Sequence, residues 1–231
     1  MLHFTADTHY WHKNILSYCG RTKFMTKAEE LDYRANPGGK IRISTTSIEL
    51  MNNELIDLTN KYVQPDDILI HNGDFCFGDI SQMRAIRRRI PCSRLYLVIG
   101  NHDKEIVYNL EPPPWKDRSL SMFKIPPIGK ISGVFDAVFA RTELNYQGET
   151  LSLNHYAQVV WNKSHHGASH LYGHSHASLE PWMNVHLPAS KTIDIGVDNI
   201  YRLYGEYRPV SFDEFYQRFS TYKTIAVDHH R

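Results

Sequence analysis

Five short apolar runs along the chain each stop at a polar cluster rich in Asp, His or Asn. Leu2-His3-Phe4, with Thr5 and Ala6, runs into Asp7-Thr8-His9. Asp67 to Asn72 (DILIHN) runs into Gly73-Asp74, and Arg94 to Ile99 (RLYLVI) into Gly100-Asn101-His102-Asp103. Glu149 to Asn154 runs into His155, and Ala168 to Tyr172 into Gly173-His174-Ser175-His176. β-Branched and aromatic residues bounded by turn residues predict buried strands. Between them, Ile48, Met51, Leu55 and Leu58 recur every three to four residues, which predicts a helix from Ser47 to Tyr62 that Pro65 stops. Ile80 to Ile90 reads as a second helix with Met83, Ile86 and Ile90 on one face. Ser211 and Glu214 make a capping-box pattern that opens a last helix through Phe219. Lys191 to Val197 reads as a final strand. Strands alternating with helices predict an α/β layered fold, and Gln147-Gly148 between apolar runs predicts a hairpin, hence a partly antiparallel sheet.

Three segments follow neither periodicity: Ala35 to Thr46, Glu111 to Gly133 and Ala177 to Ser190. Their Pro and Gly content marks them as loops, and their length predicts a functional rim. With 231 residues, no internal repeat and no linker, the expectation is one domain over residues 1–231.

Composition narrows the function classes. A formal net charge of +1 argues against a dedicated binder of polymeric nucleic acid or of a membrane surface. Cys19, Cys76 and Cys92 form no Cys-x-x-Cys pair and are odd in number, which fits reduced thiols in a cytoplasmic protein. The first residues lack an apolar signal core, and no stretch approaches ~20 apolar residues. Histidine is abundant, at 14 residues; His229 and His230 in the polar tail read as surface residues.

The pair His174/His176 admits two readings: a solvated turn, or two imidazoles facing two ions. The other run ends bear on the choice. In open α/β sheets ligands bind at the carboxyl ends of strands. If these ends share an edge, Asp7, His9, Asp74, Asn101, His155, His174 and His176 converge. One metal uses about four ligands, so this set suggests two metals ~3.5–4 Å apart sharing a carboxylate.

The ordered string Asp-x-His, Gly-Asp, Gly-Asn-His-Asp, His, Gly-His-x-His resembles the calcineurin-like metallophosphoesterase superfamily. The flanks TADTHYWHKNI and NGDFCFGD are similar to its compact bacterial and phage members. The resemblance covers roughly the first three quarters of the chain. It implies a two-sheet mixed β-sandwich flanked by helices. It also implies that Asp7, His9 and His176 hold one metal, that Asn101, His155 and His174 hold the second, and that Asp74 bridges. By the same resemblance His102 sits beside the scissile phosphate and supports the leaving group, and Asp103 orients its ring.

These residue types suit phosphoester hydrolysis by metal-activated hydroxide, because two cations acidify water, bind phosphoryl oxygens and stabilise the transition state. Two divalent ions with two carboxylates leave a local charge of about +2, an anion trap in a nearly neutral protein. Manganese is the first expectation, with iron, zinc, cobalt and nickel compatible with His/carboxylate ligation. Beyond the string, each residue has a plainer reading. His12 either lines the pocket and meets a phosphate oxygen or opens a helix at the surface. His71 reads as a hydrogen-bonded core residue. Among His165, His166 and His170, one could support a ligand while the others are solvated. Arg87-Arg88-Arg89 reads as a wet helix face. Lys40 and Arg42 reach a phosphate or solvent, and Trp115 and Trp182 stack on a base or pack.

The expected activity is therefore a dinuclear-metal phosphodiesterase or phosphatase acting on a small phosphate ester, such as a nucleotide or a phosphorylated end. The alternatives are a DNA nuclease, against which the near-neutral charge and the short tail after the last motif both argue, and a catalytically inactive scaffold, against which the complete ligand set argues.

Overall fold

The computed structural model describes residues 1–36, 39–188, 190–219 and 222. In chain order these form β1 (Leu2–Thr5), α1 (Ile15–Tyr18), α2 (Lys27–Ala35), α3 (Thr45–Tyr62), β2 (Ile68–His71), α4 (Ile80–Arg89), β3 (Arg94–Val98) and α5 (Lys104–Tyr108). Then follow β4 (Gly129–Ile131), β5 (Phe135–Phe139), β6 (Thr142–Tyr146), β7 (Glu149–Leu153), β8 (Ser169–Tyr172), α6 (Glu180–His186), β9 (Thr192–Asp194), α7 (Val197–Tyr204), β10 (Val210–Ser211) and α8 (Phe212–Phe219).

Two mixed sheets result. The first has six strands in the order β10-β1-β2-β3-β5-β4, and the second has four in the order β6-β7-β8-β9. β1, β2, β3 and β5 are parallel, with Thr5 opposite His71 and His71 opposite Leu97. β7, β8 and β9 are also parallel, with Leu153 opposite Leu171 and Tyr172 opposite Asp194. Neighbouring residues of a strand face opposite ways, and this divides the interior in two. Phe4, Ile70, Tyr96 and Val98 meet Leu151, Leu153 and Leu171 of the second sheet. Leu69, Leu95 and Leu97 face the other way, onto Met51 and Leu55 of α3 and Met83 of α4. A buried Leu or Phe contributes about 1.5–3 kcal/mol, so these two layers hold the sheets and helices together. The architecture is the expected α/β fold with two sheets flanked by helices.

The helix starts follow local chemistry. The Ser44 side chain accepts the N–H of Ser47 at 3.2 Å and starts α3. Asp79 and Gln82 form a reciprocal capping box on α4. Ser211 and Glu214 do the same at α8, at 3.3 and 2.9 Å.

The irregular segments are less irregular than their composition suggests. Ala177 to Ser190 contains α6, because Pro181 lies in its first turn, where a missing N–H costs nothing. Glu111 to Gly133 contains β4 and a 3₁₀ turn at Arg118–Met122. β4 is three residues long and pairs antiparallel with β5, so no run of alternation announces it. The final strand is shorter than Lys191 to Val197: β9 ends at Asp194, and Val197 opens α7. His229 and His230 lie outside the described residues. Among the described residues no helix is long and apolar enough to cross a membrane.

Candidate metal centre

The carboxyl ends of β1, β2 and β3 lie side by side, and those of β7 and β8 meet them across the sandwich. The joint is made by main chain. Asp7 N–H donates to Gly73 O (3.0 Å), His9 N–H to Asp74 O (3.1 Å), and Val197 N–H to Ala6 O (3.1 Å). Leaving the strands this tightly requires left-handed backbone. Five of the seven converging residues have it: Asp7 (φ 55°), His9 (50°), Asp74 (58°), His174 (68°) and His176 (47°). Asp and His tolerate this region better than most residues, yet each such turn costs on the order of 1–3 kcal/mol, and such strain gathers at functional sites.

The donors form two groups. Atoms of Asp7, His9 and His176 lie within 4.8 Å of one another, as do those of Asp74, His155 and His174. Asp74 stands between the groups: its Oδ2 is 3.6 Å from His9 Nε2 and 3.4 Å from His155 Nε2. Donors that share an ion at about 2.0–2.2 Å are themselves about 3 Å or more apart, which these separations match. Asn101 Oδ1 is 3.1 Å from His155 Nε2 and joins the second group.

Hydrogen bonding indicates what fills the space between. His155 Nδ1 donates to the carbonyl of Asn72 at 2.8 Å, so Nε2 of the neutral ring is an acceptor facing two further acceptors, Asn101 Oδ1 and Asp74 Oδ2. Such a cluster holds together only with a positive charge at Nε2, a metal ion or, in its place, a proton shared with Asp74. Burial works to lower the His155 pKa, yet its hydrogen bond to Asp74 and the charge of Asp7 push it up to about 9. Burial also pushes the Asp7 carboxyl up to about 7, against the pull of His176 and His155. The His9 ring is buried, and neither of its nitrogens has a hydrogen-bond partner. An orphaned imidazole between two carboxylates fits a metal better than a packed core. The donor set fits divalent cations.

Two glycines let the backbone approach these carboxylates. A Cβ at Gly100 would lie 2.3 Å from Asp74 Oδ1, and one at Gly173 would lie 2.6 Å from Asp7 Oδ2. The N–H of His174, next in the chain, donates to both oxygens of Asp7 at 3.0 and 2.9 Å.

Comparison with known families agrees with this geometry. The model for calcineurin-like phosphoesterases matches residues 2–230. The chain belongs to the calcineurin-like phosphoesterases. Members of this family generally use divalent metals to hydrolyse phosphate esters. Among solved structures, the chain is similar to "the Protein of Unknown Function AQ665 from Aquifex aeolicus", with 20% identity, a TM-score of 0.53 and coverage of 94% of this chain and 98% of that one. That likeness is one of fold. No curated protein sequence matches the chain.

In this calcineurin-like phosphoesterase the string residues open onto a cleft of about 680 Å³ lined by His9, His12, Tyr18, His102, His174 and His176. His102 is exposed, with its ring 5.7 Å from that of His9 and 5.0 Å from that of Phe77. His12 stacks on Phe77 at 3.7 Å. Burial, then the nearby His102 and Arg21, lower its pKa to about 4, so it meets the cleft as a neutral ring.

The Asp103 contacts differ from the sequence expectation. Its carboxylate accepts the N–H of Asp74 (2.9 Å), Phe75 (2.9 Å) and Gly100 (2.8 Å), which ties the Asp74 turn to the Gly100 turn. It points at backbone donors rather than at the His102 ring, because buried N–H groups require acceptors. The expected loop rim is met only in part. Ser178, from Ala177 to Ser190, lines the cleft with α1 and Tyr33, whereas Pro114, Asp117 and Lys130, from Glu111 to Gly133, line a separate cavity with Arg87 and Arg88. His71 is a core residue: the Thr8 hydroxyl donates to Phe75 O (2.9 Å), so His71 Nε2–H donates to Thr8 Oγ1 (2.9 Å). His170 is also structural, with Nδ1 donating to Ser152 O at 3.1 Å and Nε2 accepting the N–H of Gln158 at 3.1 Å. Sequence reasoning missed Arg21 and Asp198. Arg21 is buried and Asp198 half-buried against His176, and no motif marks either one.

Proposed function

We propose that the protein hydrolyses phosphate esters with two divalent cations, one held by Asp7, His9 and His176, one by Asn101, His155 and His174, with Asp74 between them. The position of Asp74 Oδ2 between His9 and His155 carries this reading. The cations would neutralise phosphoryl oxygens and activate water. The chain's own residues hold the substrate and manage protons. His102, exposed at the cleft beside His9, donates to the leaving oxygen. His12 supplies a neutral N–H toward the phosphate. Exposed aromatic surfaces surround the same mouth: Tyr18 (61% exposed), Phe77 (42%) and Tyr156 (49%). Base–aromatic stacking contributes about 1–3 kcal/mol per base, so these rings support a small nucleotide or another aryl ester as substrate. Manganese is the metal we assign first, and the chain acts as one catalytic domain.

The test adds Mn²⁺ to metal-free protein and follows a bis-aryl phosphodiester, an aryl phosphomonoester and single-stranded DNA in parallel. Metal-dependent turnover of either small ester supports the reading. Turnover of DNA alone replaces it with a nuclease, and no turnover with two ions bound replaces it with a binding role.

A further inference from the structure

Beside the two donor groups lies a third, Cys19, His176 and Asp198, whose ligand atoms also fall within 4.8 Å of one another. It shares His176 with the candidate centre, and its meaning turns on Asp198. Asp198 Oδ2 accepts His176 Nδ1–H at 2.6 Å. Arg21 grips the same carboxylate in a fork, with Nε to Oδ1 at 2.9 Å and Nη2 to Oδ2 at 2.8 Å. The rest of the guanidinium is committed as well. Nη2 donates to Asp7 O at 2.7 Å, and Nη1 to Thr8 O at 3.1 Å and to Met51 Sδ at 3.4 Å. All five N–H donors of a side chain with no solvent exposure are thus assigned. Asp198 has spent both oxygens on cationic or N–H partners, and a third metal ion there would face Arg21. A brace explains the group better than a further ion.

We propose that Asp198, held by Arg21, positions His176, keeping its proton on Nδ1 and leaving Nε2 as the ligand atom, so that this pair governs the affinity of the ion at Asp7, His9 and His176 and not that of its neighbour. This rests on the ligand assignment above. A carboxylate accepts and cannot donate, so the Asp198 bond fixes the tautomer. Outer partners of ligating histidines typically change metal affinity by 10–100-fold. Arg21 adds a second constraint, because it holds the carbonyls of Asp7 and Thr8 while it holds Asp198. One side chain therefore sets the spacing between Asp7 and His176, residues that approach from different sheets.

The experiment has two parts. The first uses unaltered, metal-free protein, and so does not depend on a variant folding. Imidazole ¹H–¹⁵N correlation spectra should show His176 carrying a proton on Nδ1, alone or with a second on Nε2; a proton on Nε2 alone overturns the proposal. The second titrates Mn²⁺ into wild type, Asp198→Asn, Arg21→Lys and Cys19→Ser. Wild type should take two ions. Asp198→Asn should weaken one ion 10–100-fold and leave the other within twofold, and Arg21→Lys, which keeps the charge but loses the fork, should show a smaller loss at the same ion. Cys19→Ser should keep both. Equal loss at both ions, or no loss, in Asp198→Asn overturns the brace. Loss of an ion in Cys19→Ser overturns it in favour of a third site. Fewer than two ions in wild type overturns the ligand assignment itself.

Discussion

The backbone N–H of His102 donates to Oδ1 of Asp74 at 2.8 Å. The residue proposed to protonate the leaving group is therefore attached to the carboxylate proposed to lie between the ions. Because the bond comes from the main chain, it survives truncation of the side chain. His102→Ala should keep both ions, yet lose about 10²–10⁴-fold in turnover on esters with poor leaving groups. Nitrophenyl esters, whose leaving oxygen needs little protonation, should lose less. Turnover across a leaving-group series, with metal content measured on the same samples, checks this; an equal loss throughout leaves His102 as a positioning group.

Asp74→Asn changes the carboxylate whose Oδ2 lies within 3.6 Å of both His9 and His155. Both ions should weaken together, and activity should fall with occupancy. Metal content by elemental analysis beside turnover decides the matter. Two retained ions with full activity would show that Asp74 does not bridge.

Asp103 holds three buried N–H groups from two turns. Asp103→Ala leaves them without an acceptor, at about 1–3 kcal/mol for each orphaned group before relaxation, so a net loss of about 2–4 kcal/mol is expected. Thermal melting of metal-free protein should show it, whereas His102→Ala should not shift that melting. Equal melting of wild type and Asp103→Ala would return Asp103 to the role of orienting a ring.

Glu29 predicts a pH dependence remote from the centre. Its Oε2 accepts Thr26 N–H at 2.7 Å and the Ser47 hydroxyl, and its Oε1 accepts Ser44 N–H, which joins α2 to the start of α3. Burial works to raise its pKa, but these bonds win and lower it from 4.5 to about 2. A depressed carboxyl stabilises the fold above its unfolded pKa, and that stability fades as pH falls from about 4.5 through about 2. Glu29→Gln should cost about 1–3 kcal/mol at pH 6 and progressively less toward pH 2. Denaturant unfolding of both proteins across that range measures the difference, and a gap that stays constant with pH removes the titration from the account.

Legibility in the sequence followed physical locality. β1, β2, β3, β7 and β8 were readable because each is a short apolar run ended by polar turn residues. The convergence of Asp7, Asp74 and Asn101 is readable because parallel strands of one sheet carry their ends to one edge, while that of His155 with them depends on how the second sheet packs on the first. α6 was hidden by Pro181, a residue that both breaks helices and begins them. α2 carries a local signal in the capping box of Thr26 and Glu29, but no apolar periodicity follows it. Arg21 and Asp198 were not readable at all, since their partnership spans 177 positions and depends on burial. Asp103 misled for a related reason. Adjacency to His102 in sequence suggested a partner, while the buried N–H groups that claim it come from other turns.

The joint between the sheets has a consequence for the whole molecule. Asp7, His9, Asp74 and Asn101 belong to the six-stranded sheet, and His155, His174 and His176 to the four-stranded one, and they meet where Ala6 bridges Gly196. The proposed ligand geometry is thus a vernier between two plates, sensitive to any slip of one against the other. The filler between the plates, Ala137 and Val98 against Leu151 and Leu153, sets their spacing. Repacking that filler by one methyl group should move the donors of one plate against those of the other, and the affinities of the two proposed ions would register the slip.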